Sequence, residues 1–189
     1  MLRLTGGEFR GRLIQAPKGL QTRPSQAKLR QALFNSIQVS VPDAQVADLF
    51  AGSGSLGFEA LSRGAAFVTY VESAASVVKM LEINAAELEV RDRIQIIKEP
   101  MERALKKIES LGPFDLILAD PPYAAGWEEK LVYETNWETL LRPGGLFCLE
   151  WGVQKSQVKE LPEKVPFLVK VREKNYGDSV LTTYLRESE

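Results

Sequence analysis

The chain has 189 residues, 44% hydrophobic and 26% charged with a net charge of −1, the composition of one globular domain with at most a small appendage, and no apolar run approaches the roughly 18 residues of a membrane helix. It contains no histidine, which removes the commonest general base, the Ser-His and Cys-His nucleophile pairs and the ordinary zinc constellations, so no metal is expected. A single cysteine, Cys148, excludes an internal disulfide framework and fits a reducing cytoplasm, and the lack of an apolar h-region after Met1 predicts no secretory signal.

Residues 1–35 carry seven bases (Arg3, Arg10, Arg12, Lys18, Arg23, Lys28, Arg30) against one acid, Glu8, a net of +6 that leaves −7 for the rest of the chain. Such asymmetry reads as a basic arm on a mildly acidic body, although a solvated basic face has the same composition. Two short extended pieces are expected on either side of Gly6–Gly11. Thr22-Arg23-Pro24-Ser25 then leads into a helix of about 13 residues. Within it Leu29, Leu33 and Ile37 recur every four residues and share a face with Phe34, while Lys28 and Arg30 can point elsewhere. Residues 1–44 are therefore expected to form a basic arm and one amphipathic helix packed on a second unit, 45–189.

From residue 45 short apolar runs alternate with helical stretches. Strands are expected at Val46–Phe50, Phe67–Glu72, Arg93–Lys98, Phe114–Asp120 and Leu146–Trp151. Helices are expected between them, the first ending near Arg63, then Ala74–Leu88, Met101–Leu111 and Trp127–Leu141, with Pro143-Gly144-Gly145 as a turn. Pro166–Glu173 and Ser179–Arg186 read as a closing hairpin around Asn175-Tyr176-Gly177-Asp178. Near-continuous apolar strands alternating with helices predict an α/β fold with a mostly parallel sheet covered on both faces. Cys148 is expected in the packed interior; Trp127, Trp137 and Trp151 are expected in core or interface packing, with base stacking as the other reading.

Asp48-Leu49-Phe50-Ala51-Gly52-Ser53-Gly54-Ser55-Leu56-Gly57 spans the turn from the first of these strands into its helix. The glycines satisfy G-x-G-x-x-G and let the backbone approach a ligand, and Glu72 ends the next strand where an acid suits a ribose diol. Taken alone the loop is equally an NAD fingerprint. Asp48 tilts the balance, because an acid opening the loop is poorly placed beside a pyrophosphate and well placed for a cofactor with a cationic sulfonium and an amino-acid moiety, such as S-adenosylmethionine.

Asp120-Pro121-Pro122-Tyr123 follows the fourth strand. In a doubly wound sheet that position lies beside the glycine loop, at the carboxyl end of the strands. Two prolines make a rigid turn that presents carbonyl oxygens and a carboxylate, and the tyrosine ring can stack on a flat base. The combination suits methylation of an exocyclic amine, whose lone pair is delocalised into the ring. Accepting its two N–H bonds, through Asp120 and the Pro121 carbonyl, orients the lone pair toward the methyl group.

With these motifs the chain resembles the RsmD-like S-adenosylmethionine-dependent methyltransferases that modify guanine N2 in 16S ribosomal RNA. The resemblance runs over nearly the whole length, through Gly6-Gly7-Glu8-Phe9-Arg10-Gly11-Arg12, Thr22-Arg23-Pro24, Leu33-Phe34-Asn35, Asp48–Gly57, Glu59–Ala65, Asp120–Tyr123, Glu150 and Tyr176-Gly177. It implies a Rossmann-like class I fold with seven strands in the order 3-2-1-4-5-7-6, the seventh antiparallel. It implies cofactor contacts from Asp48, Phe50, Ala51, Gly52, Ser53, Gly54, Glu72, Ser73 and Met101, a base site at Asp120, Pro121, Pro122 and Tyr123, and RNA contacts from Arg3, Arg10, Arg12, Arg23, Lys28 and Arg30. The partner implied is ribosomal RNA in the small subunit or its assembly intermediate, with a cytoplasmic monomer as the expected enzyme. Two departures stand out: Pro100 occupies the position after the third strand where the family usually carries Asp or Asn, and Ala27 replaces a common acid at the start of the first helix. Asp-Pro-Pro-Tyr is shared with adenine-N6 methyltransferases acting on DNA or RNA, the nearest alternative. NAD-dependent oxidoreduction, which shares the glycine loop, and a non-catalytic RNA-binding module are the alternatives from other classes.

Overall fold

Strands that are apolar on both faces require a cover on both. In the computed structural model, which describes residues 1–17, 24–122, 126–152 and 160–188, the sheet has that cover. The elements run β1 (Leu2–Arg3), β2 (Leu13–Ile14), α1 (Pro24–Ser36), β3 (Gln45–Asp48), α2 (Ser55–Ser62), β4 (Phe67–Val71), α3 (Ala75–Glu87), β5 (Ile94–Ile97) and α4 (Met101–Leu111). They continue through β6 (Phe114–Ala119), α5 (Trp127–Glu134), α6 (Trp137–Leu140), β7 (Leu141–Trp151), β8 (Lys164–Val165), β9 (Leu168–Tyr176) and β10 (Ser179–Arg186).

The large sheet has the order β5-β4-β3-β6-β7-β10-β9-β8. Strands β5 to β7 are mutually parallel, and β10 runs antiparallel to both β7 and β9. The expected seven strands thus take the expected order, and an eighth, β8, is added at the edge beside β9. Side chains alternate between two cores. Val46, Val68, Tyr70, Leu116 and Leu118 face one side with α1, α2, α3 and the N-terminal arm. Ala47, Val71, Ile117 and Ala119 face the other with α4, α5 and α6. Cys148, Trp127, Trp137 and Trp151 are all buried.

Three local expectations are corrected. The stretch from Trp127 to Leu141 is two helices, because Thr135 is extended (φ −82°, ψ 136°); the break buries Trp137, whose indole N–H donates to the Val132 carbonyl at 3.2 Å. Pro143-Gly144-Gly145 does not separate helix from strand but lies within β7. There the pairing passes from Phe114↔Leu141 to Leu116↔Leu146, so β7 advances five residues while β6 advances two, a bulge. Asn175 and Tyr176 belong to β9 rather than to the turn, which is only Gly177-Asp178 with Gly177 at φ +63°; a two-residue hairpin turn calls for such a residue.

The arm is fastened by specific bonds across α2 and α3. Leu29, Leu33 and Phe34 of α1 are buried, and so is Ile37, expected in the helix but lying one residue beyond its end. The Asn84 side chain accepts from the Gln15 N–H at 2.7 Å and donates to the Gln15 carbonyl at 3.0 Å. The Phe9 N–H donates to Ser62 Oγ at 2.9 Å. Glu59 is fully buried and accepts four bonds: from the Thr5 N–H (2.8 Å), Thr5 Oγ1 (2.7 Å), Arg30 Nε (3.4 Å) and Arg63 Nε (2.9 Å). Arg30 therefore departs from the expectation of a surface base. It is 4% exposed, and its guanidinium is divided between Glu59 and the Arg3 carbonyl.

Candidate cofactor and base cleft

β3 carries Asp48 into the interior, where it is 1% exposed. Oδ2 accepts the Gly57 N–H at 3.0 Å, which ties the first turns of α2 to the end of the strand. Oδ1 is enclosed with no hydrogen-bond partner among the described residues. Burial pushes the carboxyl up to about 7; the Gly57 amide lowers it, the charge of Glu72 raises it, and the Phe50 amide lowers it least. Gly57 has no substitute here, since an added Cβ would overlap the Tyr70 ring. Gly54, at φ +73°, turns the loop into α2 with Leu81 and Phe58 against its back.

Glu72 closes the other side of the loop. Its Oε2 accepts the Gly52 N–H at 3.1 Å and its Oε1 the Ala74 N–H at 2.7 Å, so the carboxylate is fixed while lone pairs remain for a ligand. A Cβ on Gly52 would meet nothing nearer than the Phe50 carbonyl at 3.9 Å, so the loop is open on that side.

A cleft of about 400 Å³ lies at the carboxyl ends of β3, β4, β5 and β6. Phe50, Glu72, Ser73 and Met101 line it, as expected of cofactor residues, and so do Asp120 and Pro122. Asp48, Ala51, Gly52, Ser53 and Gly54 stand in the loop behind or beside that lining and are not part of it. Pro100 also lines the cleft and caps α4 in an extended conformation (φ −64°, ψ 150°). At this position the chain thus offers Glu99 and the first turn of α4 instead of an Asp or Asn side chain. Trp127, expected in packing with base stacking as the other reading, is buried and also adds a wall to the cleft, where it meets Phe50 edge-on at 5.4 Å. Its place four residues after Tyr123 was the available signal.

Asp120 opens into the cleft from the end of β6, and this side stays accessible while protein encloses the rest. Burial, then the charges of Glu150 and Asp48, hold its carboxyl well above the ordinary carboxylate range. Glu150 lies across from it, since Ala119 pairs with Leu149. Acids from three strand ends therefore act on one another around the cleft, with no base among its described lining residues, an arrangement that favours a bound cation. The open side of Gly52, the anchored Glu72 and these acids fit a nucleoside cofactor with a positive centre. Tyr123 and Arg23 lie outside the described residues. Of the remaining expected RNA contacts, Arg3, Arg10, Arg12 and Lys28 are exposed and Arg30 is not.

The family model described as Conserved hypothetical protein 95 matches residues 2–185. Ribosomal RNA small subunit methyltransferase D of Escherichia coli (strain K12) is 32% identical over 190 residues, which covers 100% of this chain and 91% of that protein. The solved structure of yhhF from Escherichia coli matches with a TM-score of 0.85 at 32% identity, covering 100% of this chain and 99% of that one. The solved structure of SMU.776 complexed with SAH matches with a TM-score of 0.67 at 14% identity, over 85% of this chain and 49% of that one, a likeness of fold. The cleft between glycine loop and Asp-Pro-Pro turn is thus set in a methyltransferase fold, and the chain belongs to the Conserved hypothetical protein 95 family, the RsmD family that its motifs resemble.

Proposed function

We propose that this chain is an S-adenosylmethionine-dependent methyltransferase of ribosomal RNA, acting on the exocyclic N2 of a guanine in the small-subunit RNA. The observation that carries the reading is the cleft that brings Phe50, Glu72 and Met101 together with Asp120 and Pro122, the Asp120 carboxyl lying within the field of Asp48 and Glu150. The names of the relatives support ribosomal RNA as the substrate class.

The bound cofactor supplies an electrophilic methyl group on a cationic sulfonium. Glu72, already held by two backbone N–H groups, accepts from the ribose hydroxyls. Met101 and Phe50 enclose the adenine, with Glu99 and the first turn of α4 as the polar groups nearest Pro100. The positive charge favours ionised carboxylates around it, which restores Asp120 as an acceptor. Asp120 and the Pro121 carbonyl then accept the two N–H bonds of the amine and aim its lone pair, and Tyr123 stacks on the base. Bound S-adenosylmethionine would supply the methyl group to the nitrogen and keep the C–S electron pair as a neutral thioether, while Asp120 or water would take the amine proton. Alignment replaces strong base catalysis, in keeping with a chain that has no histidine. Arg3, Arg10, Arg12 and Lys28 hold phosphates while the target base is flipped into the cleft.

The test is incubation with radiolabelled S-adenosylmethionine and small ribosomal subunits lacking the modification, followed by mapping of the label and nucleoside analysis. N2-methylguanosine is expected; N6-methyladenosine would transfer the proposal to the adenine class. Asp120→Ala should keep cofactor affinity while transfer falls at least about a hundredfold. Near-normal turnover in that variant would sink the mechanism.

A further inference from the structure

Strand register extends the site sideways. Asp120 lies across from Glu150, Glu150 pairs with Leu181, and Leu181 pairs with Lys174. Lys174 of β9 therefore stands three strand spacings from Asp120, about 14 Å, at the same end of the sheet. An irregularity in the β9–β10 pairing decides which way β9 points. Lys170 opposes Tyr184, whereas Arg172 opposes Thr183, so Val171 is an extra residue on β9. Tyr184 packs in the core beneath α4–α6, while Thr183 meets Cys148 on the opposite face. The bulge thus sends Lys170 to one face, where Glu163 and Glu173 neutralise it at 2.8 and 3.4 Å. It sends Arg172, Lys174 and Tyr176 to the other, the face of α1 and the basic arm.

On that face the Tyr176 ring packs against the core and Lys174 Nζ lies 5.4 Å from its centroid. Arg172 reaches the Ser36 carbonyl at the end of α1 at 3.4 Å. Arg172 and Lys174 are exposed, and neither is ion-paired among the described residues. A half-buried aromatic ring beneath one ammonium, with a guanidinium farther along the same strand, has the chemistry of a single-stranded nucleotide site: the ring stacks on a base, and the cations take successive phosphates.

We propose that Tyr176, Lys174 and Arg172 form a subsite for an unpaired nucleotide flanking the target base, so that the RNA is held by the β9–β10 hairpin as well as by the arm. The inference rests on the reading of the cleft as an RNA methylation site. A flipped base needs its backbone held beyond the pocket, and a ring anchored on the core is preorganised for that task. As Lys174 moves to a phosphate, the ring face it covers becomes the stacking face.

The experiment is steady-state methyl transfer to undermethylated small-subunit RNA with Lys174→Glu, Tyr176→Leu and Tyr176→Phe, together with cofactor Kd and melting temperature. Lys106→Glu, on exposed α4, is the control. Lys174→Glu and Tyr176→Leu should each raise the RNA KM about tenfold, with the loss confined to KM and the cofactor Kd unchanged. Tyr176→Phe, which keeps the ring, should recover most of the loss, and Lys174→Gln should lower the salt slope of RNA binding by about one. If Tyr176→Leu also lowers the melting temperature, Lys174→Glu alone decides. An RNA KM and salt slope in Lys174→Glu equal to those of Lys106→Glu overturn the subsite. A parent chain that transfers methyl groups while the variants match it leaves the cleft reading intact; a parent that methylates no RNA brings both down.

Discussion

Asp48 accepts the Gly57 amide on one oxygen and leaves the other enclosed with no hydrogen-bond partner among the described residues. A carboxyl so placed is costly to ionise, and its pKa rises to about 7 in the fold from about 3.9 in an unfolded chain. Because the folded value is the higher one, the stability it contributes is complete below the unfolded value and is lost as pH rises through about 7. Asp48→Asn keeps an acceptor for Gly57 and cannot ionise. It should therefore be more stable than the parent at pH 8, by up to about 4 kcal/mol, with the difference closing toward pH 4, as urea titrations across that range would read. The same variant should bind the cofactor less tightly, the usual exchange of stability for function; equal stability at pH 8 would show that the carboxyl is not penalised. Nothing in Asp48-Leu49-Phe50 announces the enclosure. It comes from Tyr70, on the neighbouring strand, which fills the space that a side chain at Gly57 would take.

At the scale of elements, the arm, α1 and α2 are locked together through Glu59. Four donors converge on a carboxylate with no exposed surface, and two of them are guanidinium groups. Removing one member of a buried pair strands the other, at a cost of about 3–5 kcal/mol. Glu59→Ala should lose stability of that order in equilibrium denaturation, and Arg30→Met combined with it should cost less than the two single changes summed. Additive losses would mean that Arg30 and Glu59 are not coupled. The helical face of α1 was legible from Leu29, Leu33, Phe34 and Ile37. The direction of Arg30 was not, because a helix wheel does not specify what stands opposite a given position, and a carboxylate 29 residues later in the chain supplies the partner.

For the whole molecule, a net charge of −1 conceals opposed regions: an arm rich in exposed arginine and a cleft of converging acids. The arm suits phosphates and the cleft suits a cation, so the two ends of the reaction are separated by charge. Arg10→Gln and Lys28→Gln should each weaken RNA binding uniformly across sequences and reduce the salt slope by about one. Arg30→Gln, though equally a lost charge, should leave that slope unchanged and lower the melting temperature instead. Filter binding across a salt series separates these outcomes, and a slope change for Arg30→Gln equal to that for Lys28→Gln would contradict the burial of Arg30.

By itself the sequence determined the alternation of strand and helix, the strand order through the family resemblance, and the two motifs that face each other across the cleft. These are encoded locally, in apolar periodicity and in turns where glycine or proline has a specific steric effect. Tertiary structure alone decided the break before Trp137, the bulge within β7, the burial of Arg30 and the pairing that turns Lys174 and Tyr176 toward the arm. Each depends on a partner far along the chain. A single inserted residue reverses which face of a strand its neighbours occupy, and composition and spacing do not register that change.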